Sequence, residues 1–497
     1  MNRFRIKKPY LFIFFVAIIT RTAAVFFSGG YLQPAEHFTI IEKSAHLANL
    51  GIAHILEMVS KEDGWFIALN ALVFKGLVTL HINKPEIATT VIRLMMALLS
   101  FHTIIAGYKM VNQLYNQRIA AFTGILLAGF WFVPWLSVRN LALMAAVPLF
   151  MTALYFLNLH LHKPNYILPF LTGILCTIGF LLAYDTWIFV ALLFLTLLFS
   201  ANYITSLVFI TAFSLSFISV QVPFDVVNQV EPLTAVSTYF HAFFNQMQVS
   251  SMWYLVYVLP FVLMIPPVSF FLFRGLATSF KNLYYITIPT ILTLFFSIFF
   301  AESAVGLMLF TLPFVIVAGS SGWVLFLEKS KFWARHNSGY YLVLLCFWGL
   351  NFLMLPFAST LYARQTEIEA MQFLAHYKPV SSFVCEQTGS KQVVRMPHLY
   401  LNQQCTEIVV NQSYPPDSLQ NVLGRKPDLN PQFILFYGEK DLKHRIESMY
   451  PVLPNISYVT SLEPGITESI LKFFITDFPA ETIVVYRNNY YIQSPVN

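Results

Sequence analysis

The sequence predicts an all-α polytopic membrane protein of about eleven transmembrane helices, followed by a small extracytoplasmic α/β domain. Three observations carry that expectation. Of 497 residues, 57% are hydrophobic and 11% charged, whereas ordinary soluble domains carry about 25% charged residues. The apolar residues fall in continuous runs, not in the short alternating strands of a membrane β-barrel. Beyond residue 360 the character changes, with 11 Lys plus Arg against 13 Asp plus Glu in 361–497.

The runs lie at approximately 9–27, 87–108, 118–136, 141–159, 166–184, 186–201, 203–221, 253–273, 283–300, 304–320 and 340–360. Each approaches the length that spans about 30 Å of hydrocarbon as a helix. The pair flanking Asp185 reads either as two spans or as one broken hairpin. No small-residue cleavage site follows the first run, so it is expected to be a retained span and not a signal peptide. Lys and Arg set the orientation. With Arg3, Arg5, Lys7 and Lys8 in the cytoplasm, the later basic turns (Lys109 with Arg118, Lys163, Arg274 with Lys281, and Lys329 with Lys331 and Arg335) fall on the same side. The expected organisation is a transmembrane domain 1–360, with extracytoplasmic loops 28–86 and 222–252, and an extracytoplasmic domain 361–497. A bacterial inner (plasma) membrane is the expected location. The net charge of +6 resides in the membrane part, so it is a topology signal and points to no nucleic-acid partner.

In the C-terminal segment, 433–438 and 482–486 read as buried strands, and 364–376 and 467–474 as helices. Nothing there has the spacing of a metal site, a phosphate-binding glycine loop or a nucleophile elbow. Cys176 and Cys346 sit in spans as small apolar fillers. Cys385 and Cys405 lie where a disulfide can persist; a bridge and two unrelated thiols are both open. Asn411 and Asn455 begin N-x-S triplets that a eukaryotic lumen would glycosylate; such triplets arise often by chance and do not decide the kingdom.

The chemistry concentrates just after the first span. Glu36, Glu42 and His46 interleave with Phe38, Ile41, Ala45 and Ala48 as on an amphipathic helix, and a second apolar stretch at 65–80 follows Glu62 and Asp63. Such helices lie in the membrane interface. A carboxylate at the entry of the first would face both water and headgroups, where a general base must sit to act on a lipid-linked substrate. The plainer reading is that these acids keep an interfacial helix wet.

The segment Pro34, Glu36, His37, Phe38 and Glu42 resembles the first-loop signature of the polyprenyl-phosphate-sugar-dependent α-mannosyltransferases, glycosyltransferase family 22 of the GT-C superfamily. Arg93-Leu94 with 97–99, then 115–118, resembles that family's second span and cytoplasmic turn. Ser137-Val138-Arg139-Asn140-Leu141 is similar to its Ser-x-Arg-Thr-Leu turn, and Tyr239, Asn245 and Trp253-Tyr254 follow a later Tyr, Asn and Pro-Trp-Tyr. The resemblance covers about residues 10–320. It departs where the family's Asp, most often assigned as base, aligns with Ala35, its His with Gln33, and a His-Lys-Glu-x-Arg motif with Glu302 to Gly306.

What the resemblance implies is a GT-C membrane fold and an inverting sugar transfer, of a mannose-like hexose, from a polyprenyl-phosphate donor to a glycolipid, glycan or protein acceptor on the outer face. No metal and no other cofactor is called for. Glu36 is expected to be the base, with His37 or Glu42 orienting it. Arg139, with Arg21 second, would stabilise the departing phosphate. Asp185, His241, Asn245 and Glu302 are expected to line the cavity. The alternatives are a catalytically inactive relative kept as a scaffold or partner subunit, favoured by Ala35 and Gly306, and a transporter of lipid-linked glycans. Against the last, there is no inverted repeat.

Overall fold

The computed structural model describes residues 9–31, 34–61, 64–245, 253–299, 304–377, 379–389, 394–401, 403, 405–411, 430–474 and 480–490. The chain forms two compact units: Met1–Phe27, His46–Leu80 and Thr90–Thr360 make the first, and Ser28–Ala45, His81–Thr89 and Leu361–Asn497 the second.

The first unit is helical. In chain order its helices are α1 (Pro9–Phe27), α2 (Lys43–Leu50), α3 (Ile52–Met58), α4 (Gly64–Thr79), α5 (Pro85–Leu114), α6 (Gln117–Gly129), α7 (Phe132–Leu136), α8 (Ala142–His162) and α9 (Ile167–Leu182). Then follow α10 (Trp187–Phe199), α11 (Tyr203–Val227), α12 (Thr234–Asn245), α13 (Trp253–Leu263), α14 (Val268–Ser279), α15 (Tyr284–Phe296), α16 (Ala304–Lys329), α17 (Lys331–Arg335) and α18 (Asn337–Ser359). The helices α2 and α5 begin in the second unit. Among the described residues, α1, α5, α8, α11, α16 and α18 are long and apolar enough to cross a membrane. The chain is a multi-pass membrane protein.

The other five expected passes are shorter than their apolar runs. The run 118–136 breaks at Phe130 into α6 and α7, and 253–273 breaks into α13 and α14. The second break falls at Pro266-Pro267, where two successive residues lack an N–H and the preceding residue is pushed out of the helical region. Non-helical backbone is tolerated at membrane depth when protein surrounds it, and Phe130, Met264 and Ile265 are all buried. The hairpin around Asp185 turns through a single 3₁₀ turn, Tyr184–Thr186.

Small residues let these helices meet without a hydrophobic driving force, since lipid is as apolar as a side chain. Backbones of α14 and α16 approach so closely at Gly275, Gly319 and Gly322 that a Cβ on Gly319 would stand 2.6 Å from the Leu272 carbonyl oxygen. The Thr278 hydroxyl donates across the same seam to the Gly322 carbonyl at 2.8 Å. Likewise Thr177 of α9 donates to the Phe213 carbonyl of α11 at 2.9 Å.

The second unit is built on a five-stranded sheet of β1 (Ser382–Glu386), β2 (Thr406–Val410), β3 (Phe433–Tyr437), β4 (Ile456–Leu462) and β5 (Ile483–Asn488), in the order β2-β1-β3-β5-β4. The β1 strand pairs parallel with β2 and β3, while β5 runs antiparallel to β3 and β4. Both β1 and β3 are buried at every position, which is why 433–437 reads as an unbroken apolar run. Successive side chains alternate between faces. Phe383, Cys385, Leu435 and Val485 pack with Ile368, Met371 and Leu374 of α19 (Gln365–Ala375). Val384, Ile434, Phe436 and Val484 pack with Met449 of α20 (Leu442–Met449). A last helix, α21 (Ile466–Phe474), precedes β5. Tyr31 and Phe38, from the loop after α1, belong to the same core as α19. The unit thus begins at Ser28 in sequence and not at residue 361.

Cys385 and Cys405 are free thiols, which corrects the disulfide alternative. Cys385 pairs in register with Val409, so Cys405 lies four residues further along the neighbouring strand. At about 3.3 Å per residue the two Cα atoms are well beyond the roughly 7 Å that a bridge tolerates.

Glu468 of α21 accepts the Arg364 N–H at 2.6 Å, at the start of α19. Burial, with the nearby Glu367 charge, pushes its carboxyl up to about 7. A raised folded-state value means that the contribution to stability is full below the unfolded value of about 4.5 and is lost as pH rises through 7. Glu468→Gln keeps an acceptor and removes the charge, so it is expected to stabilise this unit above pH 8 and to change little at pH 5. Melting curves of the two proteins at both pH values check this; equal pH slopes would refute it.

Candidate active site

The sequence places an amphipathic α-helix at Glu36–Gly51. The structure instead forms a π-helical turn, Ala35–Glu42, that passes into α2. Such wide turns are rare and concentrate at functional sites. The turn buries two adjacent polar side chains: Glu36 is 3% exposed and His37 1%. Interior burial of a carboxylate is unfavourable without compensation, so the neighbourhood of Glu36 is built for a polar group.

His37 is held by aromatic rings. It stacks on Tyr31 (centroids 4.6 Å apart) and on Tyr400 (5.6 Å), with Phe38 edge-on at 5.1 Å. Its Nε2 lies 3.4 Å from Glu42 Oε1. Glu42 also accepts the Leu399 N–H at 3.2 Å and a guanidinium N–H of Arg395 at 3.4 Å, and the Arg395 guanidinium sits over the Phe38 ring at 4.7 Å. Burial alone would raise the Glu42 carboxyl. The His37 imidazole 3.4 Å away, the Leu399 amide and Arg395 more than offset it and leave the group below its ordinary value. Glu42 is therefore a carboxylate at neutral pH. His37 and Glu42 lock the turn to the segment 394–401, and Glu36 stands next to that lock. His46 is exposed. Gln33 and Glu302 lie outside the described residues.

The remaining candidates belong to the first unit. Arg139 is 1% exposed and follows α7, with its guanidinium 4.9 Å from the Trp135 ring. Beside it, Asn140 is 2% exposed, and neither amide atom has a hydrogen-bond partner among the described residues. The Trp135 indole N–H is also buried without one. Unsatisfied buried polar groups are uncommon and need a reason. Asn140 was not singled out from sequence, where an Asn in a turn is ordinary; only its burial marks it.

Arg21 is buried in α1. It donates from Nε to the Ser100 hydroxyl at 2.7 Å and from its two Nη atoms to the Ala128 and Leu127 carbonyls at 3.1 and 3.2 Å. Those carbonyls belong to the last turn of α6, which has no helical partners for them. Thr20 adds a bond to Ala128 at 2.9 Å. The pair forms a cap for α6, a role that no local pattern in α1 announces.

Asp185 accepts the Tyr239 hydroxyl at 2.6 Å, and Tyr184 meets the Tyr239 ring edge-on at 5.5 Å. The 3₁₀ turn and α12 are thereby joined. His241 and Asn245 pair with each other at 3.0 Å on the exposed end of α12. A further network, unforeseen from sequence, runs from the Trp65 indole through Gln221 (2.8 Å) to Asp225 (2.8 Å), which accepts the Leu233 N–H at 2.8 Å. Among the described residues, no three His, Cys, Asp or Glu side chains cluster as a metal site would require.

No family model matches this sequence, and no curated protein does. Solved structures do match in fold. The chain is similar to the crystal structure of ArnT from Cupriavidus metallidurans bound to undecaprenyl phosphate, at 13% identity and a TM-score of 0.61, covering 99% of this chain and 100% of that one. The apo structure of the same protein matches at 14% identity and a TM-score of 0.55, over 98% and 99% of the two chains. The chain has the fold of these ArnT structures, with little sequence in common.

Proposed function

We propose that this protein is a membrane glycosyltransferase that moves a sugar, a mannose-like hexose, from a polyprenyl-phosphate donor to a hydroxyl of a glycolipid, glycan or protein acceptor on the extracytoplasmic face. The observation that carries this reading is Glu36, a carboxylate buried in a π-helical turn directly after the first span of a GT-C fold. Its support from comparison is that the ArnT structure, matched over the whole chain, holds undecaprenyl phosphate, itself a polyprenyl phosphate.

In this mechanism Glu36 takes the proton of the acceptor hydroxyl. The oxygen attacks C1 of the sugar, the C1–O bond to phosphate breaks, and the polyprenyl phosphate leaves with the electron pair, inverting C1. His37 and Glu42 hold the turn that carries Glu36. The resemblance of its turn to the family's assigns Arg139 to the leaving phosphate, a task for cations and preorganised donors, and the Asn140 amide beside it is a second candidate donor. Arg21 is assigned to the scaffold because all three of its nitrogens donate to the protein, two to α6 and one to Ser100.

Arg139→Met is expected to lower transfer by about 10²–10³-fold, the usual effect of losing one donor to developing negative charge. Incorporation of radiolabelled hexose from its polyprenyl phosphate into membrane acceptors measures it. Undiminished transfer would remove Arg139 from the site. A second reading, an inactive relative acting as a scaffold, rests on Ala35 standing where the family carries its Asp. It prevails if the folded wild-type protein transfers no sugar from any polyprenyl-phosphate donor.

A further inference from the structure

The first unit contains a cavity of about 350 Å³ that the proposed reaction does not use, lined by the start of α6, the end of α16, α17 and the start of α18. Its size is within the range of small-molecule sites. Phe122, Leu327, Trp333, Tyr340 and Leu344 form its walls, and its charged residues are Arg118 and Glu328. The α6 terminus here is already satisfied, because Asn116 accepts the N–H groups of Arg118 and Ile119 at 3.0 and 2.9 Å. The Arg118 side chain is exposed, as are those of Lys329, Lys331 and Arg335 in the adjoining chain. Counting Lys329, Lys331 and Arg335, sequence neighbours of the lining that do not themselves line the cavity, four bases stand against one acid, Glu328. Phe332 (58% exposed) and Leu345 (71%) lie on the outer surface of the same elements, the position of lipid-facing side chains in a membrane protein.

An aromatic and aliphatic interior with charge confined to one end suits an amphiphile, and the sign of that charge calls for an anionic head. We propose that this cavity binds an anionic diacyl phospholipid of the leaflet that meets the basic turns. One acyl chain lies between Phe122, Leu327 and Leu344, Trp333 and Tyr340 stand at headgroup depth as such rings do, and the phosphate is held by Arg118 and its basic neighbours. A small soluble anion would have no use for the apolar walls. A zwitterionic lipid would gain little from the bases, each of which favours an anionic lipid severalfold.

The full chain, purified in a mild detergent, is titrated with dioleoyl phosphatidylglycerol or dioleoyl phosphatidylcholine, and bound lipid is counted by native mass spectrometry. Undecaprenyl phosphate and inorganic phosphate serve as competitors. Phosphatidylglycerol is expected to bind at about tenfold lower concentration than phosphatidylcholine, and Arg118→Glu to erase that preference. Leu344→Trp, which fills the cavity, is expected to weaken both lipids. Inorganic phosphate should not compete, and undecaprenyl phosphate should compete less well than phosphatidylglycerol. An unchanged preference in Arg118→Glu, whose side chain is exposed and whose folding is not at issue, overturns the proposal. So does displacement by inorganic phosphate, or stronger binding of undecaprenyl phosphate. None of these readouts depends on sugar transfer.

Discussion

Glu36→Gln is expected to reduce sugar transfer by about 10²–10⁴-fold, the range for removal of a general base, with the protein still folded. The substitution keeps the size and one acceptor oxygen of a side chain that is 3% exposed, so packing in the π-helical turn is preserved while proton acceptance is lost. A change at Glu36 should therefore leave the melting temperature within a few degrees of wild type. The measurement pairs transfer from a polyprenyl-phosphate hexose with a melting curve on the same preparation. Normal transfer by a folded variant would strike Glu36 from the mechanism. Loss of both folding and transfer would make it a structural acid.

Arg445→Met is expected to destabilise the second unit by about 3–5 kcal/mol, the cost of breaking a buried ion pair from one side. Arg445 is 5% exposed and Glu386 1%. The guanidinium donates to the Glu386 carboxylate at 2.6 Å and to the carbonyls of Glu386, Tyr437, Gly438 and Lys440 at 2.8–3.1 Å. It therefore closes the ends of β1 and β3 around one charge. Met keeps the aliphatic stem and supplies none of those donors, leaving a carboxylate buried without its counter-charge and several carbonyls without this donor. Chemical denaturation followed by intrinsic fluorescence should show the loss. A midpoint unchanged from wild type would mean that the pair contributes nothing net. The double variant Arg445→Met with Glu386→Leu should recover part of the stability, because apolar pairs often replace buried ion pairs at little cost.

Much of the architecture was legible because it depends on solvent partition, a property that each apolar run carries locally. Helix α1 was read at its observed ends, 9–27, and β3 and α19 within about a residue. Where runs were misread, long-range packing decided. At 253–273 burial of Met264 and Ile265 by the protein allows a break that lipid would forbid. The spacing of Glu36, Glu42 and His46 suggested an α-helix with a wet face. Long-range packing of Tyr31, Phe38 and Tyr400 favours a wider turn that takes Glu36 and His37 inside.

The candidate site divides in the same way. Sequence pointed to Glu36, His37, Glu42 and Arg139 through residue type and order. It gave Glu36 the role of base and His37 or Glu42 that of orienting it, but it could not show what holds Glu42, because Leu399 and Arg395 lie more than 350 residues away in the chain. It offered Arg21 as a phosphate ligand, whereas three of that side chain's donors are met by α6 and Ser100. Asn140 lay in the turn that resembles the family's but was given no role there; its burial alone singles it out.

By itself, then, the sequence determined that this chain lives in a bilayer, roughly where its long membrane helices lie, and that a small α/β unit accompanies them. Those properties come from transfer free energies and backbone preferences that act residue by residue. Only the tertiary structure decided which polar side chains are buried and which partners each of them meets. A polar group's role inside a protein is set by the partners that replace water around it, and those partners are distant in sequence.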